Sequence, residues 1–477
     1  MMKNIFSVVL IGLSLLSFSS CNDFLTEIPT TSIPDEEAFE SARDYDVALH
    51  GVYNYLGAAE FMGRDALAMS DVASDQSAHS VATSHFYDIF AYQVLETNTY
   101  IKDIWSYGYK VINFSARIID ASKTATDFSE EDIAAIDACV AQAYGLKALS
   151  EFILVNYFAL PYSEANKSTL GIVNQEKTIL PGETIGRTTV EENYKLILSD
   201  IENAKKYFDK ENVEDVGYFY MNRAAVSALE ARVRLYMKDY DGAIAAAEEA
   251  IGLRGGSIVS TEESYKNMFY RLDISSEDLF VISKTETDYL TANSLNTLYK
   301  DYGVSVNETT RNEFASTDIR LSVLNVKNKD GEYEWTGGKL SGLLQNGQHL
   351  DIQNVPVLRL PEVYLNLAEA YAMKANYKEA RKNLLEVASK RNPDLDENVI
   401  KEDASIIPLI LKERRLELVQ EGHRFFDARR SGEKIDVSNG DYTNFDIAKF
   451  VYPIPAKEVN AAAGVTQTPN WDANLPK

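Results

Sequence analysis

The chain has 477 residues, 45 % of them hydrophobic, enough for one large helical domain or two ordinary ones. Its 47 basic and 72 acidic residues leave a net charge of −25. That field repels phosphate backbones, and no basic stripe is interleaved with aromatics, which argues against a nucleic-acid partner.

Residues 1–20 carry Lys3, an apolar run from Ile5 to Phe18, and Ser19 and Ser20 ahead of Cys21. The run is too short to span a bilayer and has the layout of a secretory signal. Small residues leading into cysteine resemble a bacterial lipobox, although Phe18 stands where leucine is commoner. Cleavage before Cys21 and acylation of its thiol are expected, holding the soluble remainder on a bilayer. Cys139, inside the run DIAAIDACVAQAYGLKAL, reads as a small buried hydrophobe, so no disulfide is expected. Residues 21–36, with Pro29 and Pro34, read as an extended tether. Residues 37–477 read as a single domain: a helical part over 37–254, a loop-rich insertion over 255–357 and a C-terminal part over 358–477.

Helical periodicity begins near Glu36 and dissolves between about Ser70 and Asn98, where Ser, Asp and His mix with Phe86, Tyr87, Phe90 and Tyr92. A long irregular segment inside a helical chain is uncommon and often functional. Helices resume near Ile104, with Trp105 expected in the core. Thr189 and Glu192 predict a capping box at the start of VEENYKLILSDIENAKKYF. Residues 222–251 give the best tetratricopeptide-like hairpin, with Ala231, Ala243 and Ala250 where two helices must approach closely. Together with 143–160 plus 190–208, and with 362–390, this makes about three hairpins. In the insertion, EDLFVIS reads as a short strand, and Lys329-Asp330-Gly331 as a turn between hairpin strands.

The stretch IIPLILKERRLELVQEGHRFFDARR reads as one further helix capped by Ser405, with Pro408 in its first turn. On it Glu413, Glu417 and Glu421 recur every four residues, hemmed by apolar positions. Like charges so placed repel by a few tenths of a kcal/mol per pair, so enclosed carboxylates need partners. Arg414, Arg415, Arg424, Arg429 and Arg430 are within reach. With no His, Cys or metal-type spacing joining the cluster, it reads as an internal ion network (Glu413, Arg414, Glu417, Glu421, Arg424) rather than a carboxylate active site. No phosphate-binding loop, nucleophile elbow or paired histidines occur, so no catalytic residue, metal or cofactor is assigned. Two acids facing across a cleft, as a glycosidase needs, cannot be picked out among 72.

R-x-x-E-V-Y-L-N-L-A-E-A-Y at 359–371, followed by K-E-R-R-L-E-L-V-Q-E-G-H-R-F-F-D-A-R-R at 412–430, resembles the signature of SusD/RagB-type outer-membrane nutrient-binding lipoproteins. The opening C-N-D-F-L-T-E-I-P, Leu170-Gly171, Arg187-Thr-Thr-Val190, Asp318-Ile-Arg320 and Gln467-Thr-Pro-Asn-Trp471 are similar to the same family. The resemblance implies a mostly α, tetratricopeptide-like superhelical scaffold with irregular, partly β loop insertions. It further implies a lipid-anchored outer-membrane protein facing the cell exterior, which captures an oligosaccharide and delivers it to a SusC-type TonB-dependent transporter. Sugar capture needs exposed rings beside polar groups. Two stretches, 71–92 and 288–340, supply Tyr87, Tyr289, Tyr299, Tyr302 and Trp335, with Asp75, Gln76 and Asn293 as polar partners. For Trp335, between charges and glycines, an exposed platform and turn packing stand equal. Peptide binding within the same family, a surface glycoside hydrolase and a helical-repeat assembly scaffold are the alternatives.

Overall fold

The computed structural model of the chain describes residues 38–79, 84–179, 182–324, 339–400, 403–461 and 464–476, with short backbone pieces at 326–327 and 333–334. The expected leader, Cys21 and the tether lie outside the described residues, as does Trp335.

Side-chain caps fix where most of the long helices start. Helix α1 (Ala42–Leu56) opens with a Ser41/Asp44 capping box, followed by the short, wholly buried α2 (Asp65–Val72) and the single turn α3 (Tyr87–Phe90). Helix α4 (Thr99–Ser122) is capped by Asn98, α5 (Glu130–Phe158) by Ser129, and α6 (Val190–Phe208) by the Thr189/Glu192 box that its sequence predicts. Helices α7 (Arg223–Met237) and α8 (Tyr240–Arg254) follow, joined through the left-handed Lys238 and capped by Asn222 and Asp239. Short helices α9 (Glu262–Tyr270), α10 (Leu295–Lys300) and α11 (Glu308–Arg311) lie in or beside the insertion. The C-terminal part holds α12 (Leu360–Met373), α13 (Tyr377–Arg391), α14 (Ile406–Glu417), α15 (Arg424–Ser431) and α16 (Ala456–Asn460).

The long helices pack in succession: α1 and α4 against α5, α5 against α6, α6 against α7, then α7/α8 against α12, which also packs on α13 and α14. The three expected hairpins are present, and α1 with α4 extends the stack at its N-terminal end. Ala231, Ala243, Ala250, Ala368 and Ala380 are fully buried, since only a methyl fits where helix backbones meet this closely. Helix α5 is long and apolar enough to cross a membrane by composition, yet 89 % of its apolar window is buried inside the stack. Trp105 and Cys139 are core residues.

Two features differ from the sequence expectation. Ser405 makes no side-chain cap, because α14 grows out of the 3-10 turn Asp403–Ser405. The run to Arg430 is also not one helix. It stops at Glu417 and restarts at Arg424, with Gln420 and Gly422 in left-handed conformations between. A Cβ on Gly422, at φ +76°, would fall 2.8 Å from Leu67 Cα, so this close approach requires glycine.

Five small two-stranded sheets complete the described structure, and two of them organise the insertion. Strand β1 (Ser77–His79) pairs antiparallel with β3 (Val304–Val306), while β2 (Asp278–Ile282) pairs antiparallel with β8 (Val355–Arg359), fully buried. The chain leaves the scaffold after β2 and returns at β8, so the insertion hangs from one closed root. Between them lie the pairs β4 (Val326–Lys327) with β5 (Tyr333–Glu334), the expected hairpin, and β6 (Leu344–Gln345) with β7 (Gln348–His349). Strands β9 (Lys434–Val437) and β10 (Tyr442–Asp446) form a hairpin near the C-terminus.

Candidate ligand-binding site

The β1/β3 pair joins the two stretches singled out in the sequence, His79 lying opposite Val304. Side chains reinforce that seam. Asn307 donates through its amide to the Asp75 carbonyl at 2.6 Å. The Arg64 guanidinium donates to Asp65 Oδ1 at 2.7 Å and to Asn293 Oδ1 at 2.9 Å, tying the start of α2 to the 3-10 turn Thr291–Asn293. Its five N–H donors exceed those two acceptors. The His85 ring stacks on Tyr302, centroids 3.8 Å apart at 10°, and Phe86 stacks on Tyr100 at 3.8 Å.

The result is a cluster of half-buried rings, a guanidinium and one exposed amide drawn from chain segments more than two hundred residues apart: Arg64, His85, Asn293 and Tyr302, with Tyr289 39 % exposed on the adjoining turn. Burial, helped by the nearby Arg64 charge and His79, lowers the His85 pKa, so the ring stacks as a neutral imidazole. Burial also pushes Asp65 up to about 7 against the opposing pull of Arg64. Ring faces beside an amide and a guanidinium suit a ligand with an apolar face and a rim of hydroxyls.

Other residues expected at this site are placed differently. Tyr299 is 3 % exposed and its hydroxyl donates to Asp71 at 2.8 Å, so its ring packs the base of the loop. Gln76, also 3 % exposed, donates to the Arg415 carbonyl. Asp75 accepts two bonds from Arg424, at 2.6 and 2.8 Å, and so neutralises a residue of the expected ion network. Tyr299 and Gln76 are buried and Asp75 is half-buried, and the backbone carbonyls of Asp75 and Gln76 both accept from Asn307 just beyond β3. Tyr87 is half-buried, edge-on to His79 at 5.5 Å. Arg64 and His85 were not anticipated. The available signals were an arginine inside the apolar run 56–69 and a histidine heading the ring-rich HFYDIF.

Behind the loops, the three glutamates meet in one ion lattice, but their partners come from elsewhere. Glu417 is fully buried and faces Arg391 at 2.9 Å, Arg359 at 3.0 Å and Arg320 at 3.3 Å. Glu421, in the turn beyond α14, faces Arg359 and Lys339, both at 2.5 Å, and Glu413 faces Arg320 at 2.7 Å. Glu277 adds a fourth carboxylate, shared by Arg359 and Arg391. Burial alone would raise the Glu417 pKa, but Arg391 and Arg359 outweigh it and hold the carboxyl well below its usual range. Glu413, facing chiefly Arg320, is raised by burial. Arg414 joins a separate cluster with Asp427 and Glu362, and Arg424 pairs with Asp75 and Glu433. Arg320 and Lys339 both belong to the insertion, so the lattice fastens it to α13 and α14.

Comparison with known proteins agrees with this architecture. A family model described as the SusD family matches residues 286–471, and one described as starch-binding associating with outer membrane matches residues 23–235. Comparison with curated proteins gave no match. Among solved structures, a candidate sugar-binding protein of Bacteroides vulgatus is 26 % identical, with a TM-score of 0.80 over 91 % of this chain and 99 % of that one. A SusD superfamily protein of Bacteroides thetaiotaomicron is 25 % identical, with a TM-score of 0.77 over 90 % and 100 %. A SusD superfamily protein of Parabacteroides distasonis shares the fold at 16 % identity, with a TM-score of 0.70 over 92 % and 100 %. With family models matching both halves and the helical stack reproduced over nine tenths of its length, the chain is similar to the SusD/RagB family throughout.

Proposed function

We propose that this protein is a non-enzymatic surface lipoprotein, anchored in the outer membrane through acylated Cys21, that captures an oligosaccharide and passes it to a SusC-type TonB-dependent transporter. The observation that carries the reading is the seam between the two loops. A stacked His85/Tyr302 pair and the Arg64–Asn293 link hold ring faces and an amide at the surface of a rigid helical frame. A site fixed in advance loses little freedom on binding, which favours capture by weak stacking and hydrogen bonds. The sugar-binding description of the B. vulgatus neighbour and the starch-binding description of the N-terminal family model support the glycan class.

Calorimetry with the soluble form beginning after Cys21, against a panel of glycans and peptides, tests this. Glycan binding that weakens in Tyr302→Ala and Asn293→Ala is the expected result. Binding to peptides alone, or to nothing, overturns it, and prompt cleavage of a glycan reassigns the protein as a hydrolase.

A further inference from the structure

Asp288, next to Tyr289 in the chain, lines a concavity of about 280 Å3 to which Arg64, His85, Asn293 and Tyr302 contribute nothing. Its wall comes from α1, from residues 219–220 and from the chain leaving β2. Tyr53 is fixed at both ends of its hydroxyl, donating to Gln142 Oε1 and accepting from the Met221 N–H, each at 2.8 Å. Against it Tyr220 stands edge-on, 5.5 Å from Tyr53 and 6.2 Å from His50, with 36 % of its surface exposed. Opposite the rings is an ion pair of unequal burial. The Lys284 side chain is 6 % exposed and its ammonium lies 3.4 and 3.3 Å from the two oxygens of Asp288, whose side chain is 64 % exposed. Charge-assisted bonds of this type normally close to about 2.7–2.9 Å, so neither partner is saturated by the other.

A wall of rings with Tyr220 the exposed one, a buried donor and an exposed acceptor therefore line a single small space. Their charges cancel, which removes any net preference for a charged occupant. The volume lies just under the range of about 300–1,000 Å3 typical of small-molecule sites, a fit for one ring and not for a chain.

We propose that this pocket binds one neutral pyranose unit, stacked on Tyr220, with Lys284 donating to and Asp288 accepting from its hydroxyls. The class of ligand rests on the glycan reading above; the pocket itself does not. The turn 284–289 then serves two subsites, so an oligosaccharide long enough to reach both is held better than a short one.

Saturation-transfer NMR with the methyl glycosides of glucose, galactose, mannose and xylose on the soluble form tests the proposal. Transfer to at least one glycoside is expected to fall about five-fold in Tyr220→Ala and in Asp288→Asn, the loss of one stacking or one hydrogen-bonding partner. Tyr220→Phe, which keeps the ring, retains it and shows that the fold is intact. Transfer that follows Tyr302→Ala but ignores Tyr220→Ala overturns the pocket and leaves the loop site standing. Transfer that depends on Tyr220 while the calorimetric panel shows no glycan capture does the reverse. Absence of transfer from all four glycosides also overturns the pocket.

Discussion

Glu417→Gln is the sharpest probe of the frame, because it removes one charge and almost no volume from the centre of the ion lattice. Three guanidiniums, those of Arg320, Arg359 and Arg391, then face one carboxylate fewer in a fully buried position. Breaking a buried pair by deleting one partner costs about 3–5 kcal/mol, because the remaining charge stays desolvated. Glu277, Glu413 and Glu421 still offset part of the positive charge, which places the expected loss near the lower end of that range. Unfolding entropy of about 2.1 cal/mol/K per residue gives about 0.9 kcal/mol/K for a domain of this size, so Tm should fall by about 3–4 °C. Differential scanning calorimetry of the soluble form measures it, with Glu262→Gln as control, since Glu262 pairs with Lys266 at the exposed surface. The same variant should weaken glycan binding modestly, because Arg320 and Lys339 no longer hold the insertion as firmly. A Tm within about 1 °C of the parent, the size expected of a surface pair, refutes the view that this lattice fastens the insertion to the helices.

Gly422→Ala should cost about 2 kcal/mol or more, adding a left-handed backbone penalty to a contact with Leu67, and chemical denaturation reads it directly. Asp71, which accepts from Tyr299 and from the Gly422 N–H, is pushed up to about 7 by burial. The folded state therefore keeps a proton that the unfolded chain releases above about 4, so the contribution of Asp71 to stability declines as pH rises from about 4 to about 7 and levels off beyond. Asp71→Asn should remove that contribution, so that stability falls less, or rises more, with pH across this window than in the parent; an unchanged slope in urea midpoints against pH contradicts this. Tyr302→Ala should weaken binding of whichever glycan the calorimetric panel identifies by about 3- to 10-fold, the worth of one stacked ring. Cys21→Ala should take up no labelled palmitate and leave the membrane fraction; persistent membrane attachment counts against acylation at that residue.

The frame was legible because helix packing writes itself along the chain. Small residues at Ala231, Ala243, Ala368 and Ala380 and the Thr189/Glu192 box are local signals, and the structure uses each as read. The break at 418–423 was half-visible: Gly422 marks a helix stop, but nothing local shows that Leu67 presses against it. The partners of Glu413, Glu417 and Glu421 were not legible. Nearby arginines were the natural candidates, whereas Arg320, Lys339, Arg359 and Arg391 arrive from separate elements. At the ligand site, the two stretches were identified but not the roles within them. The β1/β3 seam is three residues long, too short for any periodicity, and it decides that Tyr299 and Gln76 turn inward while Tyr302 meets His85.

The closed root of the insertion has a consequence for how such proteins change. Because β2 and β8 meet in one buried ladder, the stretches between Ile282 and Val355 that do not pack back on the helices can be exchanged without unthreading them. Lengthening it is cheap, since doubling a loop adds only about 0.6 kcal/mol of closure entropy. A graft would keep Val304–Val306, Arg320 and Lys339 as its three fasteners. New ligand preferences can then be tried on an unaltered chassis.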